Sequence, residues 1–255
     1  MSNFIATVSK INCFETCPRK FWLLYGSKYI NGKPIIPFQT SKALDEGSKK
    51  HELMEAMLKE RGTLLPGWVT KNPFFEDWWL RIVIRFVTSY KENFVEKKIG
   101  LSKDWAAWAM RDYYKPPPEY RQAGSPELLM QSALDAVFLE GNYAIIVDWK
   151  SGRVRKEDDW GQLAACALLA FCFWSKLETI DSTFIFLDHR VHDTKRFTRF
   201  EHFEPLKEHF LNKIKPINNT FQRLSEVSPE VAFYADPGNC YWCPAENSHC
   251  KHSRK

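Results

Sequence analysis

The sequence lacks any continuous run of about 18 apolar residues, which is the length that a helix needs to cross a membrane. The N-terminal segment MSNFIATVSK has no apolar stretch followed by a cleavage site, so we expect no secretory signal. Internal repeats and low-complexity segments are missing as well. The 255 residues are 44% apolar and 26% charged, which excludes a disordered chain. We therefore expect a cytoplasmic globular protein with no membrane attachment.

Positive charge is in moderate excess. The chain has 36 Lys and Arg against 31 Asp and Glu, which gives a net charge of +5. A basic surface suits a nucleic-acid partner, although many proteins without such a partner are equally basic. Aromatic residues make up 15% of the chain and include ten Trp. Such rings can stack on unpaired bases, but we expect most of them in the core.

The hydrophobic pattern predicts helices on both sides of a central β-hairpin. Helices are expected from Pro18 onward after a turn within 11–25, and over 41–60, 74–95, 159–177 and 204–226. Strands are expected over 128–139, 143–149, 181–189 and 196–203, and the proline-rich segment 113–126 is predicted to be a loop. This order predicts an α/β or α+β fold with one sheet as its core.

The hairpin brings together two acidic residues. Gly141-Asn142 favours a two-residue turn of the primed type, in which Glu140 faces Tyr143. The same register puts Asp135 directly across from Asp148. Because side chains alternate along a strand, Asp148 and Lys150 share one face of the sheet, and Asp135 joins them there.

Two carboxylates in this position require a cation. Directly opposed side chains have Cβ atoms roughly 4.5–5.5 Å apart, and like charges at this distance destabilise a sheet. Lys150 supplies one positive charge, but a divalent metal ion bound by oxygen ligands compensates the pair better. The alternative is a pair of surface acids on a solvent-facing strand, against which the surrounding segment VFLEGNYAIIVDW offers few other polar positions.

The string ALDAVFLEGNYAIIVDWKSG resembles the core of the PD-(D/E)XK nucleases, and specifically their RecB-like branch. Upstream, Glu46-Gly47-Ser48-Lys49-Lys50-His51 resembles the helical motif of that branch that ends in His. Downstream, Gln162 resembles the Gln of its Gln-x-x-x-Tyr motif. Cys17-Pro18-Arg19 and the cysteines Cys240, Cys243 and Cys250 resemble the cysteine segments of members that carry an iron–sulfur cluster. The chain is thus similar, from about residue 10 to about residue 250, to CRISPR-associated and phage-encoded exonucleases.

The sequence departs from that pattern in four places. Leu134 stands where the family has a nominal Pro, and Cys166 stands where the Gln motif has its Tyr. Six residues separate Cys243 from Cys250, against a usual spacing nearer five. Glu96 is a candidate for the upstream acid of some members.

The resemblance implies a PD-(D/E)XK core with a central mixed sheet flanked by helices. It implies one domain over 1–255, with a mainly helical part over 11–110, the nuclease core over 127–203, and a C-terminal helix and cysteine cluster over 204–255.

The resemblance also implies a Mg²⁺ or Mn²⁺ site and a set of catalytic residues. His51, Asp135, Asp148 and the carbonyl of Trp149 would bind the ion. Asp135, Asp148, Lys150 and Gln162 would be catalytic, with Lys150 positioning a water molecule and stabilising charge on phosphorus. DNA would be the substrate, as ends or as single strands. The basic residues Arg19, Lys20, Arg153, Arg155 and Lys156 are candidates for backbone contacts.

The cysteines admit two kinds of metal centre. Four thiolates bind either a 4Fe–4S cluster or a structural zinc ion. The resemblance implies Cys17, Cys240, Cys243 and Cys250 as cluster ligands, with Cys13 as a spare. A local zinc site would instead use Cys240 and Cys243 with His249 or Cys250, and His252. Cys166 and Cys172 lie in the apolar segment ALLAFCFW and are expected in the core.

Two other functions stay open at this point. The chain could be a weak or inactive DNA-binding accessory protein for recombination or replication, with a helicase or recombination protein as partner. It could also be an interaction protein held together by zinc, in which the acids are incidental. If a phage encodes it, the cytoplasm concerned is that of the host.

Overall fold

The computed structural model describes residues 4–37, 42–60, 67–90, 92–110, 127–152, 154, 160–236, 238, 240, 243–245 and 249–252. The loop predicted over 113–126 lies outside these residues. Arg153, Arg155 and Lys156 also lie outside them. None of the described helices is long and apolar enough to cross a membrane.

Eight α-helices and one π-helical turn of the described residues are labelled here in chain order. They are α1 (Val8–Thr16), α2 (Pro18–Phe21), the π-helical turn Trp22–Gly26, α3 (Ser27–Asn31), α4 (Lys42–Glu60), α5 (Trp78–Thr88), α6 (Trp160–Phe173), α7 (Arg199–Gln222) and α8 (Pro229–Ala232). The strands are β1 (Glu92–Ser102), β2 (Ala107–Ala109), β3 (Leu128–Glu140), β4 (Tyr143–Lys150), β5 (Thr179–Phe186) and β6 (Val191–Thr198).

The strands form one six-stranded mixed sheet in the order β2-β1-β3-β4-β5-β6. Only β4 and β5 pair in parallel within this sheet, and α6 connects them. A parallel pair needs such a crossover because its two strands run in the same direction. The α/β class and the flanked mixed sheet that the sequence predicts are therefore confirmed.

Side chains on the two faces of the sheet belong to two separate cores. Ala144 and Ile146 of β4 pack with α1, α6 and α7, whereas Ile145 and Val147 pack with α4 and α5. This alternation is what period-2 side-chain placement requires of a strand covered on both faces. Helix α6 is buried continuously from Leu163 to Phe171, because its sequence is apolar on every side.

The predicted hairpin register is confirmed. The pairs run from Glu140 with Tyr143 to Ala136 with Val147. Gly141 has a φ of +63°, and the positive φ at the first central residue is the pattern of a type II′ turn.

The helix predicted over 74–95 is wrong at both ends. Helix α5 begins at Trp78, where the carboxylate of Asp77 accepts hydrogen bonds from the backbone N–H groups of Trp79 and Leu80. Strand β1 already begins at Glu92, so the part predicted to be mainly helical contains two strands. The polar residues of ENFVEKKIGLS hide the strand pattern, because only its second half is buried.

Two further boundaries differ from the prediction. Residues Val8–Thr16 form a helix instead of a turn, although the helix start at Pro18 is confirmed with Cys17 as its N-cap. The strand predicted over 196–203 ends at Thr198, which caps α7 by accepting a hydrogen bond from the N–H of Glu201. The hydroxyl of Thr198 also donates a hydrogen bond to the carboxylate of Glu201. This local interaction favours the start of a helix at this point over a continuation of the strand.

Candidate active site

Asp135 is held in place by the neighbouring strand. It follows Leu134 at the point where the pairing of β3 with β4 ends, one residue beyond the Ala136–Val147 pair. The backbone N–H of Trp149 donates a hydrogen bond to Oδ2 of Asp135 at 2.9 Å. The carboxylate is thereby fixed beside β4, as the register predicts.

Asp148, Lys150 and Gln162 form a closed set of polar contacts. Lys150 Nζ lies 2.7 Å from Oδ1 of Asp148 and donates to Oε1 of Gln162 at 3.0 Å. Gln162 in turn donates through Nε2 to the other oxygen of Asp148. Asp148 is only 7% exposed, so these contacts are made away from bulk water. Gln162 reaches the hairpin because α6 begins beside the end of β4.

His51 approaches the same site from helix α4. Its Nδ1 lies 3.4 Å from Oδ2 of Asp135. Burial lowers the pKa of His51, so the imidazole is neutral near pH 7 and has a free electron pair to offer a metal ion. His51 therefore lies against Asp135, whose carboxylate is in turn bound to the backbone of β4 next to Asp148.

Gly47 explains how α4 comes so close to β4. A Cβ atom at this position would lie 2.5 Å from Oγ of Ser151, the residue that follows β4. Residues four apart share a helix face, so Gly47 and His51 both point toward the hairpin. The absence of a side chain at position 47 allows the imidazole to reach the carboxylates.

Two carboxylates share a site with too little positive charge. The pKa of Asp135 is raised to about 8, first by burial and then by the negative charge of Asp148. The N–H of Trp149 and the ammonium of Lys150 oppose this shift without cancelling it. Without a metal ion, the folded chain therefore keeps a proton on the pair at pH 7. A divalent cation would supply the positive charge that the site lacks.

The donor set fits Mg²⁺ or Mn²⁺. Carboxylate and carbonyl oxygens with one imidazole nitrogen are ligands that such ions accept. Within the described residues, no three His, Cys, Asp or Glu side chains are already arranged to coordinate a metal. The oxygens of Asp148 are engaged by Lys150 and Gln162, which would have to turn away for an ion to bind.

Two further acids lie beside the site. Glu96 has a φ of +50° and falls opposite Asp135, between the Val95–Ala136 and Lys97–Leu134 pairs. Burial raises the pKa of Glu96, and the nearby charge of Glu55 raises it further. Glu55 follows His51 by one helical turn, and sequence reasoning missed it, although its spacing from His51 is the signal that would have indicated it.

The four predicted cluster cysteines line one small cavity. Cys17, Cys240, Cys243 and Cys250 surround it together with Arg19, Lys20 and Leu23. The Cys17 sulfur accepts hydrogen bonds from the N–H groups of Lys20 and Asp236 at 3.4 Å each. No histidine is among the described residues that line this cavity.

The other cysteines lie elsewhere. Cys13 is half-buried outside the cavity lining, and burial raises its pKa to about 12. Cys166 is 2% exposed in the core as predicted, and burial raises its pKa. Cys172 packs against the same core and is only partly buried.

Arg19, a candidate for a DNA-backbone contact, joins the two ends of the chain in this structure. Its guanidinium lies 3.1 Å from Oε1 of Glu230 and donates to the carbonyl of His249 at 3.1 Å. Its backbone N–H donates to Tyr234. These contacts join the N-terminal segment to the C-terminal one.

Comparison with known proteins agrees with this geometry. The model of the PD-(D/E)XK nuclease superfamily matches residues 6–250. The crystal structure of SSO0001 is similar, with a probability of 1.00, a TM-score of 0.41 and 11% sequence identity, over 95% of this chain and 84% of that one. This distant similarity carries no argument below. No curated protein matches the sequence.

Proposed function

This chain belongs to the PD-(D/E)XK nuclease superfamily, whose members are nucleases, and we propose that it is a Mg²⁺- or Mn²⁺-dependent deoxyribonuclease. We propose further that it is an exonuclease acting on DNA ends or single strands. The observation that carries the proposal is the pair of half-buried Asp135 and buried Asp148, which lies between the imidazole of His51 and the ammonium of Lys150.

The ligand set proposed for the ion is His51, Asp135, Asp148 and the carbonyl of Trp149. When bound, a divalent ion polarises the phosphate and lowers the pKa of water. Asp135 is oriented for this role by the Trp149 N–H. The raised pKa of Asp135 means that ion binding near pH 7 releases a proton from the carboxyl pair.

Lys150 is the proposed water-positioning and charge-stabilising group. Its ammonium lies 4.9 Å from the centre of the Phe184 ring, which limits the directions it can take. From there it can reach either Asp148 or a phosphate oxygen. Gln162 bonds both Lys150 and Asp148, so we assign it the orientation of these two side chains.

We also propose that the cysteine cavity holds a 4Fe–4S cluster, with structural zinc as the alternative. Four thiols around one cavity support a thiolate centre of either kind. The ligands would come from both ends of the chain, so metal binding would stabilise the fold.

The test is cleavage of labelled single-stranded and blunt double-stranded DNA by the full chain with Mn²⁺, and with EDTA in its place. We expect shortening from an end with Mn²⁺ and none with EDTA. Asp148→Asn should be inactive, whereas Asp193→Asn, an exposed acid on β6, should cleave normally. Cleavage that persists in EDTA or in Asp148→Asn would contradict the proposal, and DNA binding without any cleavage would indicate an inactive accessory protein.

A further inference from the structure

Trp160 is an exposed aromatic residue next to the proposed active site. It is the first residue of α6 and is 38% exposed, whereas most large aromatic side chains in the described part of the chain are covered. Gln162, which bonds Asp148 and Lys150, follows two residues later. Residues two apart do not share a helix face, so the Trp160 ring and the Gln162 amide lie on different sides of the first turn of α6. A strand bound at the proposed active site would pass the start of α6 to place a base against Trp160.

Trp160 forms one wall of a cleft between three helices. The cleft has a volume of about 490 Å³. Its walls are the N-terminal turn of α6, the side of α1 with Ile11 and Asn12, and the side of α7 with His209 and Lys213. This volume falls in the range of small-molecule sites, about 300–1,000 Å³.

The cleft carries both stacking surfaces and polar groups. The rings of Trp160 and His209 lie 5.3 Å apart at 41°, and Lys195 Nζ lies 5.5 Å from the centre of the Trp160 ring. Nε2 of His209 is buried and has no hydrogen-bond partner among the described residues. Lys213 at the rim is 2.6 Å from Glu15, within reach of a phosphate that could replace this exposed partner.

We propose that this cleft binds one unpaired nucleobase of the substrate, stacked on Trp160 and hydrogen-bonded by His209, so that the enzyme takes single-stranded DNA. The inference rests on the proposed nuclease function. Aromatic rings bind any base through its flat face, and lysines at the rim contact the backbone on either side. The site would thus select strandedness and not sequence.

The first experiment measures DNA binding by the full chain in the Asp148→Asn background, so that no cleavage interferes. Fluorescence anisotropy compares a labelled single strand with a blunt duplex. Trp160→Ala should weaken single-strand binding about tenfold, because stacking on one aromatic ring contributes 1–3 kcal/mol per base. Trp160→Phe should keep most of the affinity. Phe200→Ala is the matched control, since Phe200 is 99% exposed and outside the cleft, and it should change nothing.

The second experiment replaces one base of the oligonucleotide at a time with an abasic site. The Asp148→Asn parent should bind the oligonucleotide more weakly when the abasic site is at one position near the end. The Trp160→Ala variant should bind all of these oligonucleotides equally. His209→Asn provides the same comparison if Trp160→Ala does not fold. The base site would be overturned if abasic positions weakened binding equally in the parent and the variants, or if Trp160→Ala weakened single-strand and duplex binding equally. The proposed nuclease function would still stand in that case if the wild type cleaved DNA normally. A wild-type chain that neither binds nor cleaves DNA would overturn both.

Discussion

The β3–β4 hairpin and the cysteine cavity are both proposed metal centres, but they are built differently. In the hairpin, backbone pairing over a few residues sets the distance between Asp135 and Asp148. In the cavity, Cys17 meets the C-terminal cysteines only because Arg19 and the cap of α2 dock onto the C-terminal segment. The hairpin site therefore depends on local geometry, whereas the cavity depends on contacts across the whole chain.

The largest expected effect belongs to the hairpin. Lys150→Ala should reduce cleavage by about three orders of magnitude, because it removes a group that acts in the transition state. The melting temperature should fall only slightly, because Asp148 loses its ammonium partner but keeps the amide of Gln162 and can take up a proton. Rates with Mn²⁺ and thermal unfolding measure the two quantities. A variant that keeps near-normal rates would show that the hairpin is not the active site.

The second prediction concerns the cavity. Cys17→Ser should lose bound metal and lower the melting temperature by about 5 °C or more, because metal binding is coupled to folding. For an iron–sulfur cluster, fresh protein is brown and dithionite bleaches its visible absorbance. Cys172→Ser, outside the cavity, should keep both colour and stability. Colourless anaerobic protein with about one zinc per chain would support the zinc alternative.

The third prediction links helix α4 to the hairpin. Gly47→Ala should lower activity about tenfold, because its methyl group meets Ser151 Oγ and moves His51 away from the carboxylates. The double variant Gly47→Ala with Ser151→Ala should recover its activity. The Cβ of residue 151 would lie 3.6 Å from the Cβ added at position 47, which is an ordinary contact distance. Ser151→Ala alone is the control. Failure of the double variant to recover would mean that the close approach does not position His51.

The smallest effect is on stability and depends on pH. The folded chain keeps the Asp135 proton up to about pH 8, whereas an unfolded Asp loses it near pH 4. Between these values the folded state binds more protons, so the free energy of unfolding falls as the pH rises.

Asp135→Asn should remove this slope and raise the melting temperature in EDTA at pH 8 by roughly 2–4 °C, with little change at pH 4. Asp193→Asn should keep the wild-type pH dependence. A pH-independent difference between wild type and Asp135→Asn would contradict the assigned pKa shift.

The amino-acid sequence by itself determined the hairpin, its register and the placement of Asp135 beside β4. Turn chemistry and alternation are local, so Gly141 and the apolar residues of β3 and β4 were sufficient to predict them. Strand β1 escaped prediction because its half-buried, lysine-containing pattern resembles no local template.

Only the tertiary structure decided which distant residues join that hairpin. The approach of His51 depends on the space left by Gly47, and the Gln162 contacts depend on where α6 begins. The cleft at Trp160 exists because α1 and α7, far apart in the chain, pack beside the start of α6. Such contacts follow from how helices cover both faces of the six-stranded sheet, and packing between distant segments leaves no periodic signal in the sequence.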